Sequence, residues 1–148
     1  PGVEQLLRDS GFPGMKVLEF AFDSREPSNY LPHRYIRNCI CYSGTHDNET
    51  LAQWLAQTSE TARAYAAEYL GLTEQEGYAW GILRSGLASV ADTFIAQLQD
   101  YLGLGAEARM NTPGTLSDRN WSWRLQPGLL TAELAHRLRR MNTMYERL

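Results

Sequence analysis

Asn38-Cys39-Ile40-Cys41-Tyr42-Ser43-Gly44-Thr45-His46-Asp47-Asn48 is the stretch on which the fold turns. A short apolar run closed by Ser43-Gly44 has the length and composition of a strand. From Glu49 the period changes, and Leu51, Trp54 and Leu55 fall at helical spacing. A strand passing through a polar turn into a helix is the unit of α/β proteins. Working upstream, Met15 to Phe22 after the Pro13-Gly14 turn is a second apolar run and predicts another strand. Pro1 to Ser10 predicts a helix with Val3, Leu6 and Leu7 on one face, ended by Gly11. The polar segment from Asp23 to His33 contains Pro27 and Pro32 and predicts a loop.

Downstream, Thr58 can cap a helix running to Leu70, stopped by Gly71. Thr73 followed by Glu76 has the capping-box pattern and opens a helical stretch to about Leu102. Within it, Gly77, Gly81 and Gly86 weaken the helix or admit another backbone closely. After Gly103 and Gly105, Glu107-Ala108-Arg109-Met110 reads as a third, short strand. A loop then runs to Gly128, and Thr131 caps a terminal helix whose basic end, Arg137, Arg139, Arg140 and Arg147, suits the negative end of its dipole.

The resulting order is the alternation of parallel sheets. Three strands with long crossovers make a poor sheet alone, because parallel sheets hide both faces and have several neighbours. The chain therefore reads as part of something larger. Its 148 residues, 43% hydrophobic and 21% charged, fit one domain and exclude a disordered tail. A net charge of -3 argues against nucleic acid or an anionic membrane surface as partner. No stretch approaches the roughly 20 apolar residues of a membrane span, and the first residues lack the marks of a secretory signal. Cys39 and Cys41 are too few for a disulfide framework; at strand spacing they share a face and read as small buried residues.

In parallel α/β folds the working residues leave the carboxyl ends of the strands. Asp23 follows the first apolar run, Thr45-His46-Asp47-Asn48 the second, and Asn111 the third. On spacing alone, Asp47 or Asn48 reads most readily as the cap of the following helix, and His46 as a hydrogen-bonded structural histidine. Zinc at His33, His46 and Asp47 has no helical His-x-x-x-His spacing behind it. Phe20 and Phe22 are core by default, while Trp121 and Trp123, alternating in a polar loop, are either an anchor or a stacking surface. Arg37, Arg109 and Arg124 are too scattered for a phosphate clamp, and no glycine-rich phosphate loop is present.

Five ordered blocks are more specific than any of these patterns. Gly11 to Phe22 (GFPGMKVLEFAF), Asn29 to His33 (NYLPH), Gly44 to Asn48 (GTHDN), Gly103 to Asn111 (GLGAEARMN) and Trp121 to Arg124 (WSWR) resemble the C-terminal blocks of the amylomaltases. These are the 4-α-glucanotransferases, or disproportionating enzymes, of glycoside hydrolase family 77. The resemblance implies a (β/α)8 barrel and retaining transfer of α-1,4-glucan segments between maltooligosaccharides, with no cofactor. Such chemistry uses two carboxylates about 5 to 5.5 Å apart; in this family both lie upstream of these blocks. By the same resemblance, Asp47 is the transition-state stabiliser and His46 a sugar-hydroxyl contact. Asn111 is a polar contact, Phe20 an aromatic wall near the acid/base, and Asp23 a further substrate contact. The chain departs from the family pattern at Arg34, at Ser24 and in the Ser117 to Asn120 segment, which carries one extra residue and no glycine before Trp121.

A barrel of this kind takes about 250 residues. Residues 1–148 are thus expected to form one incomplete domain, roughly the last three strands with their helices. Its partner would be the remainder of the barrel, in the cytoplasm. Alone, the chain is expected to be inactive and to self-associate or stay partly unfolded, with two sheet edges bare. The alternative is a non-catalytic glucan-binding or assembly module, and after it a purely structural α/β domain.

Overall fold

The structure, a computed structural model, describes residues 2–22 and 28–147. Three parallel strands, β1 (Gly14–Val17), β2 (Cys39–Tyr42) and β3 (Thr93–Ile95), form one sheet in the order β1-β2-β3. Val17 pairs with Tyr42 and Tyr42 with Ile95, so the three carboxyl ends are level and the segments leaving them meet on one side. The parallel α/β reading holds, and the helices outnumber the strands.

Two strand assignments need correction. The third strand is Thr93–Ile95, inside the stretch expected to be one long helix, and residues 106–108 form a 3₁₀ turn instead. The helix is broken by a distant residue. Helix α4 (Tyr78–Ala88) ends where the Arg147 guanidinium collects the carbonyls of Leu87, Ser89 and Ala91 at 3.1, 2.7 and 2.7 Å. Arg147 thus serves the end of α4 and the approach to β3, and not its own helix dipole. A four-residue helix, α5 (Leu98–Tyr101), follows β3. The first strand is also shorter than expected, because Leu18–Phe22 coils into a 3₁₀ turn. Strand alternation would leave half of Leu18, Glu19, Ala21 and Phe22 facing outward; the coil buries all four. Phe22 then meets Trp54, Tyr65 and Tyr69 at ring-centroid distances of 6.1, 6.0 and 6.1 Å.

The remaining helices follow their local signals. Helix α1 (Gly2–Ser10) ends at Gly11 and α3 (Glu60–Leu70) at Gly71, both glycines in the left-handed region at φ +70° and +63°. Ser59, one residue later than expected, caps α3 through a bond from the Ala62 amide. Thr131 caps α6 (Ala132–Met144) in the same way. Thr73 Oγ1 accepts from the Glu76 amide, but this box closes a turn, and α4 starts only at Tyr78.

Leu18, Phe22, Leu51, Ile82 and Leu83 form the centre of the core between the sheet and α2 (Leu51–Gln57), α3 and α4. Cys39 and Cys41 are buried free thiols on one face of β2; burial pushes Cys41 up to about 12. The far side of β1 is different. Val3 and Leu6 of α1 are 82% and 70% exposed, and Phe12, Met15 and Ile36 beside β1 are exposed too. This apolar strip flanks a strand with one sheet partner among the described residues. No described helix is long and apolar enough to cross a membrane.

Gly86 is where α4 lies on the sheet. A Cβ there would collide with the ring of Phe94 on β3. Gly86→Ala is therefore expected to cost about 1–3 kcal/mol by overpacking, seen as a lower denaturation midpoint in urea.

Candidate active site

Beyond β2 the chain makes a tight turn that locks onto itself. Asn48 Oδ1 accepts from the Thr45 amide at 2.9 Å and the Thr45 hydroxyl at 2.7 Å, and the Asn48 amide returns a bond to the Thr45 carbonyl at 3.0 Å. Asn48 therefore pins the turn, which leaves Asp47 to project. Neither residue caps α2. Thr50 does so, with Oγ1 accepting from the Gln53 amide at 3.2 Å, while Asp100 Oδ1 accepts from the Leu51 amide at 2.8 Å. Asp100 also takes the Ser43 hydroxyl on Oδ2 at 2.6 Å. Burial raises the Asp100 pKa, and its bonds to Ser43 and Leu51 pull it back.

The structure brings Asp47, His46 and Asn111 together. Asn111 Nδ2 donates to Asp47 Oδ1 at 2.7 Å, and the Asn111 amide donates to the His46 carbonyl at 3.1 Å. His46 Nε2 lies 3.5 Å from the same carboxylate oxygen. Asn111 follows a 3₁₀ turn and not a strand, yet it reaches the place a strand end would have given it. The Asp47 side chain is about half exposed, at 47%, so a ligand can reach it. Among the described residues, no hydrogen-bond donor is paired with its second oxygen.

Arg109 is the residue the spacing argument passed over. Its guanidinium donates to the Asp47 carbonyl at 2.8 Å, the Asn111 carbonyl at 2.8 Å and Glu49 Oε1 at 3.0 Å. One side chain thus ties the Asp47 turn to the Asn111 segment, and its planar fork suits this divergent set. The available signal was its place two residues before Asn111 in a polar segment.

Trp121 joins the cluster from the loop. Its indole lies 5.1 Å from the His46 ring, and its amide donates to the Met110 carbonyl at 2.7 Å. It holds φ +63°, uncommon for a bulky side chain and a mark of a constrained position. Asn120 braces that loop, accepting from the Thr112 amide and donating to Thr115.

The other candidates fall elsewhere. Phe20 is exposed on the turn beyond β1, edge-on to Tyr30 at 5.5 Å. Asp23 lies outside the described residues. His33 bonds Tyr69 Oη at 2.7 Å, apart from His46, and no described cluster of His, Cys, Asp or Glu could hold a metal ion. Arg37 pairs with Asp92 and Arg124 with the Trp123 carbonyl, so the arginines make no joint anion site.

Level parallel strand ends, with a braced carboxylate, an imidazole, an amide and an indole gathered beyond the middle strand, describe an α/β protein with a polar candidate site. Comparison narrows this class. The model of the glycosyl hydrolase family described as 4-alpha-glucanotransferase matches residues 1–131. The chain belongs to that family. It is 48% identical over 144 residues to the 4-alpha-glucanotransferase of Clostridium butyricum, covering 97% of this chain and 29% of the relative. It is 44% identical over 155 residues to that of Thermus thermophilus, covering 100% and 31%. Among solved structures it resembles the amylomaltase from Streptococcus agalactiae in complex with acarbose, with a TM-score of 0.92 at 39% identity over 98% of this chain and 29% of that one. The chain thus spans under a third of the length of these curated relatives.

Arg109→Met would leave Glu49 and the Asp47 carbonyl without their donor. The expected loss is about 2–3 kcal/mol, measured by chemical denaturation.

Proposed function

We propose that this chain is the C-terminal part of a 4-α-glucanotransferase catalytic barrel and contributes its last three strands. The supporting observation is the Asp47 carboxylate, aimed outward at the level carboxyl ends of parallel strands and oriented by Asn111. The uncovered apolar strip beside β1 fits a chain that continues its sheet with further strands.

The substrates are α-1,4-glucans, in keeping with the acarbose bound to the amylomaltase this chain resembles. Retaining transfer passes through an oxocarbenium-like transition state between two carboxylates, a nucleophile and a general acid/base. In our reading these come from other strands of the barrel. Asp47 then accepts hydrogen bonds from ring hydroxyls of the distorted sugar, and its charge favours the cationic transition state. Asn111 fixes which oxygen faces the sugar, His46 donates to a neighbouring hydroxyl, and Phe20 forms an apolar wall. Asp23 is assigned a further substrate contact. The compartment we assign is the cytoplasm, with which the two free thiols agree.

In the full-length enzyme, Asp47→Asn should lower kcat by about 10²–10³-fold with little change in KM, since the interaction matures in the transition state. Circular dichroism should stay unchanged. Near-normal turnover would remove Asp47 from this role. The isolated chain should release no glucose from maltotriose. Saturable quenching of its tryptophan emission by maltooligosaccharides, without such release, would favour a binding module.

A further inference from the structure

Under the Asp47 turn lies a carboxyl group that the proposed reaction does not use. Glu19, in the 3₁₀ turn after β1, is only 6% exposed, and neither of its oxygens has a hydrogen-bond partner among the described residues. Both press on the start of the turn. A Cβ on Gly44 would stand 2.8 Å from Oε2 and 3.1 Å from Oε1, so only glycine fits against this acid. The Glu19 amide also donates to the Ser43 carbonyl at 3.3 Å. Asp100, from α5, holds the Ser43 hydroxyl and the Leu51 amide. The segment from Ser43 to Leu51, which carries Asp47, is therefore in contact with two buried carboxyls from separate elements.

Resting on the reading of this chain as part of a glucanotransferase, we propose that Glu19 is a positioning residue. Its carboxyl is the stop against which Gly44 rests, and it sets where Asp47 stands beneath the sugar. It does so as the uncharged acid. The charged groups facing it are Asp100 on α5, Glu49 ahead of α2, and Arg109 beyond the 3₁₀ turn. Burial, then Asp100 and Glu49, push Glu19 up to about 9, with Arg109 pulling the other way. Arg109 is already committed to Glu49 and to the carbonyls of Asp47 and Asn111. Loss of the Glu19 proton to solvent would thus set a second negative charge beside Asp100 without a cation of its own. The repulsion would act on Ser43 and Gly44, and so on Asp47.

The test uses full-length enzyme and compares kcat for maltotriose transfer in Glu19→Gln and wild type from pH 6 to 10. Ionisations shared by the two proteins cancel in the ratio. The expected ratio is flat at neutral pH and rises at least threefold through pH 9, with KM unchanged, because the amide cannot become charged. Infrared absorption at pH 7 should show a protonated-carboxyl band in wild type that is missing from Glu19→Gln. A second variant pushes from the other side. Gly44→Ala should lower kcat by about 10–100-fold, the scale of a misplacement near 1 Å, and Gly44→Ala/Glu19→Ala should recover part of it. A flat ratio across the whole range, no difference in the carboxyl band, or no recovery in the double variant would each overturn the proposal. Inactive wild type would overturn the glucanotransferase reading and this proposal with it, whereas active wild type with a flat ratio overturns this one alone.

Discussion

The carboxylate of Asp100 joins three parts of the molecule that would otherwise drift. It takes the Ser43 hydroxyl at the end of β2 and the first free amide of α2, from its own place on α5. A buried carboxylate is costly unless its oxygens are matched by donors, and each oxygen here has one. The end of the central strand, the start of the helix after it and the segment after β3 are thereby fixed in one frame. The level strand ends provide the platform, and Asp100 keeps the turn above it from sliding.

On that frame the side chains of the candidate site are arranged by a second charged residue. Arg109 binds the carbonyls of both Asp47 and Asn111, so the two residues approach each other by backbone placement as well as through their side chains. In the proposed reaction a carboxylate so placed need not reorganise as charge develops. Trp121 follows the same logic, with its backbone held in a rarely used conformation so that the indole stands beside His46.

What could be read in advance was what local chemistry determines. Gly11 and Gly71 stop helices because their backbone turns left-handed. His46, Asp47 and Asn111 were singled out by resemblance and not by spacing, in two blocks that the fold joins across 64 residues. What escaped depended on distant residues. Thr93-Phe94-Ile95 lay hidden in an apolar stretch of helical period, and α4 stops before it where Arg147, about 60 residues on, takes the last carbonyls. Asp47 and Asn48 looked like caps, yet the bonds at the start of α2 come from Thr50 and from Asp100, 49 residues beyond Leu51. Leu18 to Phe22 read as strand since its apolar density is high; the coil buries Leu18, Glu19, Ala21 and Phe22 together and sets Phe22 among Trp54, Tyr65 and Tyr69.

The clasp made by Arg147 also bears on how the polypeptide can be handled. A single guanidinium beyond α6 spans the gap between α4 and the edge strand β3, so a proteolytic cut that parts Arg147 from the rest of the molecule would loosen a join some 60 residues away in sequence. Proteolytic ladders should be read with that distant tether in mind.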